Sequence, residues 1–240
     1  WGIPIPVWYK DDEIKIAETA PSEGWVQDPD TFDTWFSSGQ WPYAALLANS
    51  EKDFKTFYPT SVMETGWDII FFWVARMIMF GLYKTGKIPF GQVYLHGLVR
   101  DKDRQKMSKS KGNVIDPLGV IDTYGNDSLR MALTVNNLPG NDLPLSEDKV
   151  RGYRNFANKI WNAARFVMQN TEGSDTQAEL LPEDQAILDE IHELAQTITA
   201  KMEKYDFAHA SEDLYHYFWH TFADKTIEAE LRLLRIDGTP

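Results

Sequence analysis

Apolar and polar positions alternate through the first twenty residues. Ile5-Pro6-Val7-Trp8-Tyr9 and Ile14-Lys15-Ile16 flank Asp11-Asp12, a period-two pattern around a turn that predicts a β-hairpin. A connection rich in Pro, Asp and Gly (Pro21, Gly24, Asp28, Pro29, Asp30) leads to Asp33-Thr34-Trp35-Phe36-Ser37-Ser38-Gly39. Residues 60–66 form a short strand pattern ending at Thr65-Gly66. The period then lengthens and predicts a helix from about Trp67 to Lys84, with Asp68 in its first turn, where the helix dipole favours an acid. A second β-rich run spans Gln92 to Val99, and a polar, lysine-dense loop over 100–113 follows it. Strand, helix and strand at this spacing predict a βαβ unit with parallel strands and a right-handed crossover.

Beyond Asp116-Pro117 the pattern is helical. One helix is predicted over residues 126–136, and Leu138-Pro139-Gly140-Asn141-Asp142-Leu143-Pro144 breaks it. Ser146-Glu147-Asp148 opens a long helix to about Asn170. After a linker from Thr171 to Gln177, two amphipathic helices are expected at roughly 183–204 and 207–235. The fold class predicted is a partial Rossmann-like α/β domain over residues 1–146, followed over 147–240 by an incomplete all-α helical bundle.

Composition alters this picture in few places. With 240 residues the chain can bury a full core, and it has no cysteine, which removes disulfides, thiol nucleophiles and thiolate metal sites together. The stretch Ile69 to Leu82 is interrupted by Arg76 and is too short to span a bilayer, so a buried helix is expected and no membrane partner. No secretory signal is visible, and a cytoplasmic setting is expected. The chain opens on Trp1-Gly2 rather than methionine, which suggests part of a longer protein. The net charge of −12 argues against a nucleic-acid partner until its distribution is considered. Residues 1–170 are almost balanced, and nearly all the excess acid lies in 171–240, so basic surfaces survive upstream.

Three segments carry candidate chemistry. Lys106-Met107-Ser108-Lys109-Ser110, extended by Lys111-Gly112-Asn113, leaves the C-terminal end of a predicted parallel strand, the edge at which open α/β sheets bind ligands. Two lysines three residues apart, with small hydroxyl residues and a glycine, make a cationic clamp suited to a triphosphate whose charge shifts as pyrophosphate leaves. In Glu64-Thr65-Gly66-Trp67-Asp68, a glycine at a strand–helix junction lets a ligand approach the backbone, and an acid two residues on accepts from ribose hydroxyls. Ile69 and Trp73, spaced i, i+4, share a helical face and form an apolar wall sized for a small branched side chain. In the helix from Asp148 to Asn170, Tyr153, Phe156, Ala157, Ile160, Ala164, Val167 and Met168 fall on one face. Arg151, Arg154, Asn155, Asn158, Asn162, Arg165 and Gln169 fall on the other, without an acid among them. A solvated face and an RNA-binding face fit that pattern equally. His216 and His220 are spaced as metal ligands can be, but no third ligand accompanies them, and no metal site is expected.

The pentapeptide 106–110 resembles the signature loop of the class I aminoacyl-tRNA synthetases. Residues 64–77 and the run from Gly152 to Phe166 resemble the valine-activating branch of that family. The resemblance covers nearly the whole chain. It implies a Rossmann-like catalytic domain, ATP with Mg²⁺ on its phosphates, and valine and tRNA(Val) as partners of an enzyme that is monomeric when intact. It implies catalytic roles for Lys106 and Lys109, and an ATP site drawn from Gly66, Asp68, His96, Gly97, Val99, Met107, Ser108 and Lys109. It further implies a valine pocket of Trp35, Ile69 and Trp73, and tRNA contacts from Arg151, Arg154, Asn158, Asn162 and Arg165. In the family's order, a His-x-Gly-His-type ATP signature and an editing insertion come before the segment matched here, so the resemblance implies a piece inactive alone.

Departures from the family's pattern are informative. Ile3-Pro4-Ile5-Pro6 stands closer to the isoleucine branch, which is the alternative reading, alongside a non-catalytic tRNA-binding relative. Arg104 occupies a position that is commonly glycine, and Asp224-Lys225-Thr226-Ile227-Glu228 replaces an aromatic-rich stretch.

Overall fold

The computed structural model describes residues 2–172 and 180–229. The chain divides into two compact units, Trp1–Leu95 and His96–Pro240.

The first unit opens with the expected hairpin. Strands β1 (Val7–Lys10) and β2 (Glu13–Ile16) are antiparallel, with Val7 opposite Ile16 and Lys10 opposite Glu13. Asp11 takes a left-handed conformation, φ 51°, one that Asp tolerates at a tight turn. A third strand, β3 (Val26–Gln27), pairs antiparallel with β1 and was not foreseen. Nor were three short helices: α1 (Thr34–Ser38), α2 (Trp41–Asn49) and α3 (Glu51–Phe57). Helix α3 begins where the Ser50 side chain accepts from Asp53 N.

Strand β4 (Thr60–Gly66) lies where the sequence predicts it. The single helix expected from Trp67 to Lys84 is instead three consecutive forms. A 3-10 turn (Trp67–Ile69) and a π-helical turn (Ile70–Val74) precede the regular helix α4 (Ala75–Thr85). The bulky run Phe71-Phe72-Trp73 occupies the widened turn, and Trp73 there reaches α1, a contact that regular helical geometry had no need to provide. Gly86, φ 71°, ends α4 in the left-handed conformation that glycine adopts without cost. Strand β5 (Phe90–His96) neighbours β4, and Thr60 N donates to Pro89 O where the two strands begin. Val74, Met77 and Phe90 form the core here, with Met63, Trp73 and Ile78 against it.

In the second unit, β6 (Val99–Arg100) pairs in parallel with β7 (Leu143–Pro144). The continuous strand expected from Gln92 to Val99 is therefore broken at Gly97-Leu98. Asp142 is the cause. Its carboxylate accepts from Leu98 N at 3.0 Å and from Arg100 Nε at 2.7 Å, drawing the chain toward 141–144. A Cβ on Gly97 would stand 1.5 Å from Asn141 O, so the approach depends on glycine. Helices α5 (Pro117–Tyr124) and α6 (Asn126–Thr134) fill the interval, α5 capped by the Asp116 carboxylate on Leu118 N and Gly119 N. Helix α7 (Glu147–Asn170) starts at Ser146, whose hydroxyl accepts from Lys149 N. Val120, Leu129, Ala132, Leu145 and Val150 form the core of α5, α6 and the start of α7.

Helices α8 (Pro182–Glu203) and α9 (Phe207–His216) follow, and α9 continues into a π-helical stretch, Tyr217–Thr226. Phe156 of α7 is enclosed by Tyr215, Phe218 and Trp219, at centroid distances of 4.7, 5.8 and 6.1 Å. The end of the helix predicted over 207–235 lies outside the described residues. Among the described residues, no helix is long and apolar enough to cross a membrane.

Candidate functional site

In the first unit, Gly66 is buried at the end of β4, and Asp68 is exposed in the 3-10 turn that follows. Gly66 has φ −61° and ψ 145°, ordinary extended backbone, so its small size rather than a special conformation is what the position offers. Trp35 and Trp73 stand on two elements that face each other, α1 and the π-helical turn. Trp73 Nε1 donates to Ser38 O at 3.0 Å, while Trp35 stacks on Phe72 at 5.8 Å. Ile69, half-buried, stands at the junction of the 3-10 and π turns. Phe72 and Ser38 were not singled out from sequence. Nothing local marks them, since one is an aromatic within an aromatic run and the other contributes a backbone carbonyl. Arg76 ties α4 to Asp33 at 3.1 Å, and a Cβ on Gly39 would meet Phe80 at 2.7 Å, so α1 lies close against α4.

In the second unit, His96 ends β5, Gly97 follows it and Val99 opens β6, with Val99 half open to solvent. The loop beyond them is closed by side chains within it. The Asp101 carboxylate accepts from Gln105 N at 2.7 Å, Asp103 N at 3.0 Å and Asn113 Nδ2 at 2.7 Å. Asn113 Nδ2 also donates to Lys106 O, and Asn113 Oδ1 accepts from Ser108 N. The hydrogen bond from Asn113 and those from Gln105 and Asp103 hold the Asp101 carboxyl below the usual carboxylate range.

Arg104, at the position commonly glycine in the resembled family, takes φ 61°. The turn is left-handed although a side chain occupies it. Met107, expected beside a nucleotide, packs its side chain against the cluster built on Val120 and Leu129. Lys106 and Lys109 are exposed, and Lys109–Lys111 form a 3-10 turn closed by Gly112 at φ 66°. Two amines on an exposed loop whose backbone is fixed from within suit a polyanion better than an apolar ligand.

On α7, Arg151, Arg154, Asn155, Asn158, Asn162, Arg165 and Gln169 are all exposed, and Arg151 pairs with Asp148 at 2.6 Å. The opposite face is covered in its first half, where Tyr153, Phe156 and Ala157 turn inward. From Ile160 onward the expected core residues are exposed, Met168 to 65%. Here the periodicity misplaces the contact. Lys159 is drawn inward by Asp224 at 2.6 Å and lies over the Trp219 ring at 4.1 Å, so Lys159, Ala163 and Phe166 are the half-buried positions. The departing segment 224–228 thus supplies a protein partner to α7. His216 and His220 stack at 5.7 Å, each about 4.0 Å from an acid on its own helix.

Comparisons with known proteins bear on both units. Residues 12–146 match the model of the class I tRNA synthetases (I, L, M and V), and residues 184–237 match that of the anticodon-binding domain of tRNA ligases. Among curated relatives, the valine–tRNA ligase of Solibacter usitatus is 48% identical over 239 residues, 95% of this chain and 28% of its own length. That of Staphylococcus epidermidis is 48% identical over 240 residues, 95% of this chain and 27% of its own. The chain thus spans under a third of the length of these relatives. Among solved structures, an Agrobacterium radiobacter LeuRS–tRNA–LeuAMS ternary complex gives a TM-score of 0.73 at 19% identity, covering 90% of this chain and 34% of that one. Mycobacterium tuberculosis methionyl-tRNA synthetase with methionyl-adenylate gives 0.62 at 21%, covering 87% and 41%. At such identities the likeness shows the fold.

Proposed function

The chain belongs to the class I tRNA synthetases, and on that premise we propose that it is the segment of a valine–tRNA ligase that carries the signature loop and the start of the anticodon-binding domain. Residues 1–146 are assigned to the catalytic domain and 147–240 to the helical tRNA-binding domain. The observation that carries the valine assignment is the identity of 46–48% to valine–tRNA ligases over nearly the whole chain. It disfavours the isoleucine reading drawn from the opening residues.

In the reaction proposed, a carboxylate oxygen of valine attacks the α-phosphorus of ATP. The P–O bond to pyrophosphate breaks, giving valyl-adenylate; a terminal ribose hydroxyl of tRNA(Val) then displaces AMP. ATP enters as its Mg²⁺ complex, the metal neutralising charge on the phosphates. Asp68, exposed beyond Gly66, accepts from the ribose hydroxyls; the backbone of His96, Gly97 and Val99 flanks the adenine. Lys106 and Lys109, with the Ser108 hydroxyl and the backbone of Met107, hold the triphosphate. Negative charge builds on the departing pyrophosphate, and the lysines stabilise it there more than in bound ATP, which is what lowers the barrier. No residue forms a covalent intermediate; positioning and electrostatics supply the acceleration. Trp35, Ile69 and Trp73 line the valine side chain, and Arg151, Arg154, Asn158, Asn162 and Arg165 meet tRNA. A soluble, monomeric enzyme of the cytoplasm completes the reading.

The test is valine-dependent ATP–pyrophosphate exchange by the full-length protein that carries this segment. Lys109→Ala is expected to slow exchange by roughly tenfold to a thousandfold with little change in valine binding. Unchanged exchange would remove the loop from the mechanism.

A further inference from the structure

The lysines of the signature loop act through position, so whatever fixes the backbone beneath them shares in catalysis. Exposed lysine side chains hold no geometry of their own. The loop's order comes from two anchors. Met107 is set into the core formed by Val120 and Leu129. On the other side stands one amide, Asn113, which grips the backbone on both sides of Met107, donating to Lys106 O at 3.2 Å and accepting from Ser108 N at 2.9 Å. Asn113 is in turn oriented by Asp101, whose Oδ2 takes its Nδ2 at 2.7 Å, while Oδ1 takes Gln105 N and Asp103 N. Asp101 N donates to Gln105 O, so the strand end and the turn leading into the loop are joined through the same residue.

We propose that Asp101 and Asn113 are positioning residues of the adenylation reaction, a side-chain clasp that closes the loop at its base and sets the backbone from which Lys106 and Lys109 reach the triphosphate. This rests on the reading of the loop given above. Neither residue touches substrate. The donor and acceptor roles are fixed by the contacts: Asn113 must present Oδ1 to Ser108 N, which leaves Nδ2 facing Asp101, and a carboxylate at 101 can only accept.

That polarity gives a test that a general loss of folding does not mimic. In the full-length protein, Asn113→Asp places two carboxylates face to face, and Asp101→Asn confronts one amide with another. Combining the two restores a donor opposite an acceptor. The amide introduced at position 101 still accepts from Gln105 N and Asp103 N through its oxygen. Its nitrogen donates to the carboxylate introduced at position 113, which accepts from Ser108 N as well. The bond to Lys106 O is lost, and a carboxylate oxygen faces that carbonyl in its place, as it does in Asn113→Asp alone.

Pyrophosphate exchange is expected to show kcat lowered roughly tenfold to a hundredfold for Asn113→Asp, since displacement of reacting groups by about 1 Å costs on that order. The fall for Asp101→Asn is smaller, and the KM for valine stays within about twofold in both. The double variant is expected to recover most of the loss, to within about fivefold of the parent. A double variant as slow as the product of the single effects overturns the inference, as do single variants that match the parent. So does a loss of exchange that follows lost thermal stability and is not recovered. Lys109→Ala, run beside them, separates this failure from that of the function. If Lys109→Ala slows exchange and the clasp variants do not, the function stands and the clasp falls. If Lys109→Ala is also without effect, both fall.

Discussion

Trp73 donates its indole N–H to Ser38 O at 3.0 Å, and this bond ties the π-helical turn to α1. The same ring is proposed to bound the valine pocket, so the two roles are separable by substitution. Trp73→Phe keeps an apolar wall and loses the bond, at a cost of about 1 kcal/mol in stability, with the preference among amino acids little changed. Trp73→Ala enlarges the pocket and is expected to relax selection toward isoleucine more than toward threonine. A wall built from apolar groups discriminates by size, at about 1–3 kcal/mol per methylene. Exchange measured with valine, isoleucine and threonine decides it. An equal fall for all three signals collapse of the turn and removes Trp73 from the pocket. Ile69 and Trp73 were legible from sequence as candidates because an aliphatic and an aromatic at i, i+4 beside a strand–helix junction make a pocket wall, and Trp35 was added only by the family resemblance. Phe72, on which Trp35 stacks, was not, since its role depends on which way a widened turn points it.

Helix α7 is the element whose sequence speaks most clearly. Ser146 caps it, Glu147 and Asp148 occupy its first turn, and it ends at Asn170 as the periodicity predicts. Ser146→Ala removes the acceptor for Lys149 N and is expected to destabilise the protein by about 1 kcal/mol, a fall in Tm of roughly 2–4 °C for a chain of this size. Thermal denaturation followed by circular dichroism measures it, and an unchanged Tm shows the cap to be replaceable by water. The faces of the helix are less legible than its ends. A wheel places Ile160, Val167 and Met168 inside, yet among the described residues the inward positions after Ala157 are Lys159, Ala163 and Phe166. An ion pair with Asp224 and the Trp219 ring outweigh a difference of one step around the helix. Lysine tolerates this because its stem packs while its amine stays paired.

Across the whole molecule, a chain with net charge −12 is proposed to bind a polyanion, and the distribution of charge makes the two compatible. The acid is concentrated after residue 171, while the exposed face of α7 presents Arg154 and Arg165 among amides. Binding through such a face releases counterions from the RNA and weakens steeply with salt. Reversing both charges, Arg154→Glu and Arg165→Glu, in the full-length protein is expected to raise the KM for tRNA and leave pyrophosphate exchange intact. It should also flatten the dependence of tRNA affinity on salt by roughly one to two units of slope. A slope shared by the two proteins would identify the face as solvated and nothing more.

What the sequence determined by itself is what neighbouring residues decide among themselves. The opening hairpin, strand β4, the cap and length of α7, and the lysine pattern of the signature loop all rest on interactions within a few positions, and each can be read along the chain. What the tertiary structure decided depends on partners far away in sequence. Asp142 splits the strand expected from Gln92 to Val99 because its carboxylate competes for Leu98 N and Arg100 Nε from more than forty positions on. Asn113 becomes the key of the loop only when the chain has turned back to bring it against Asp101, Lys106 and Ser108. Lys159 leaves the solvent only because Asp224 is carried to it by a helix that follows much later. Local periodicity records which side chains prefer burial; which polar group meets which is fixed by chain topology, and buried polar groups must be paired wherever the fold puts them.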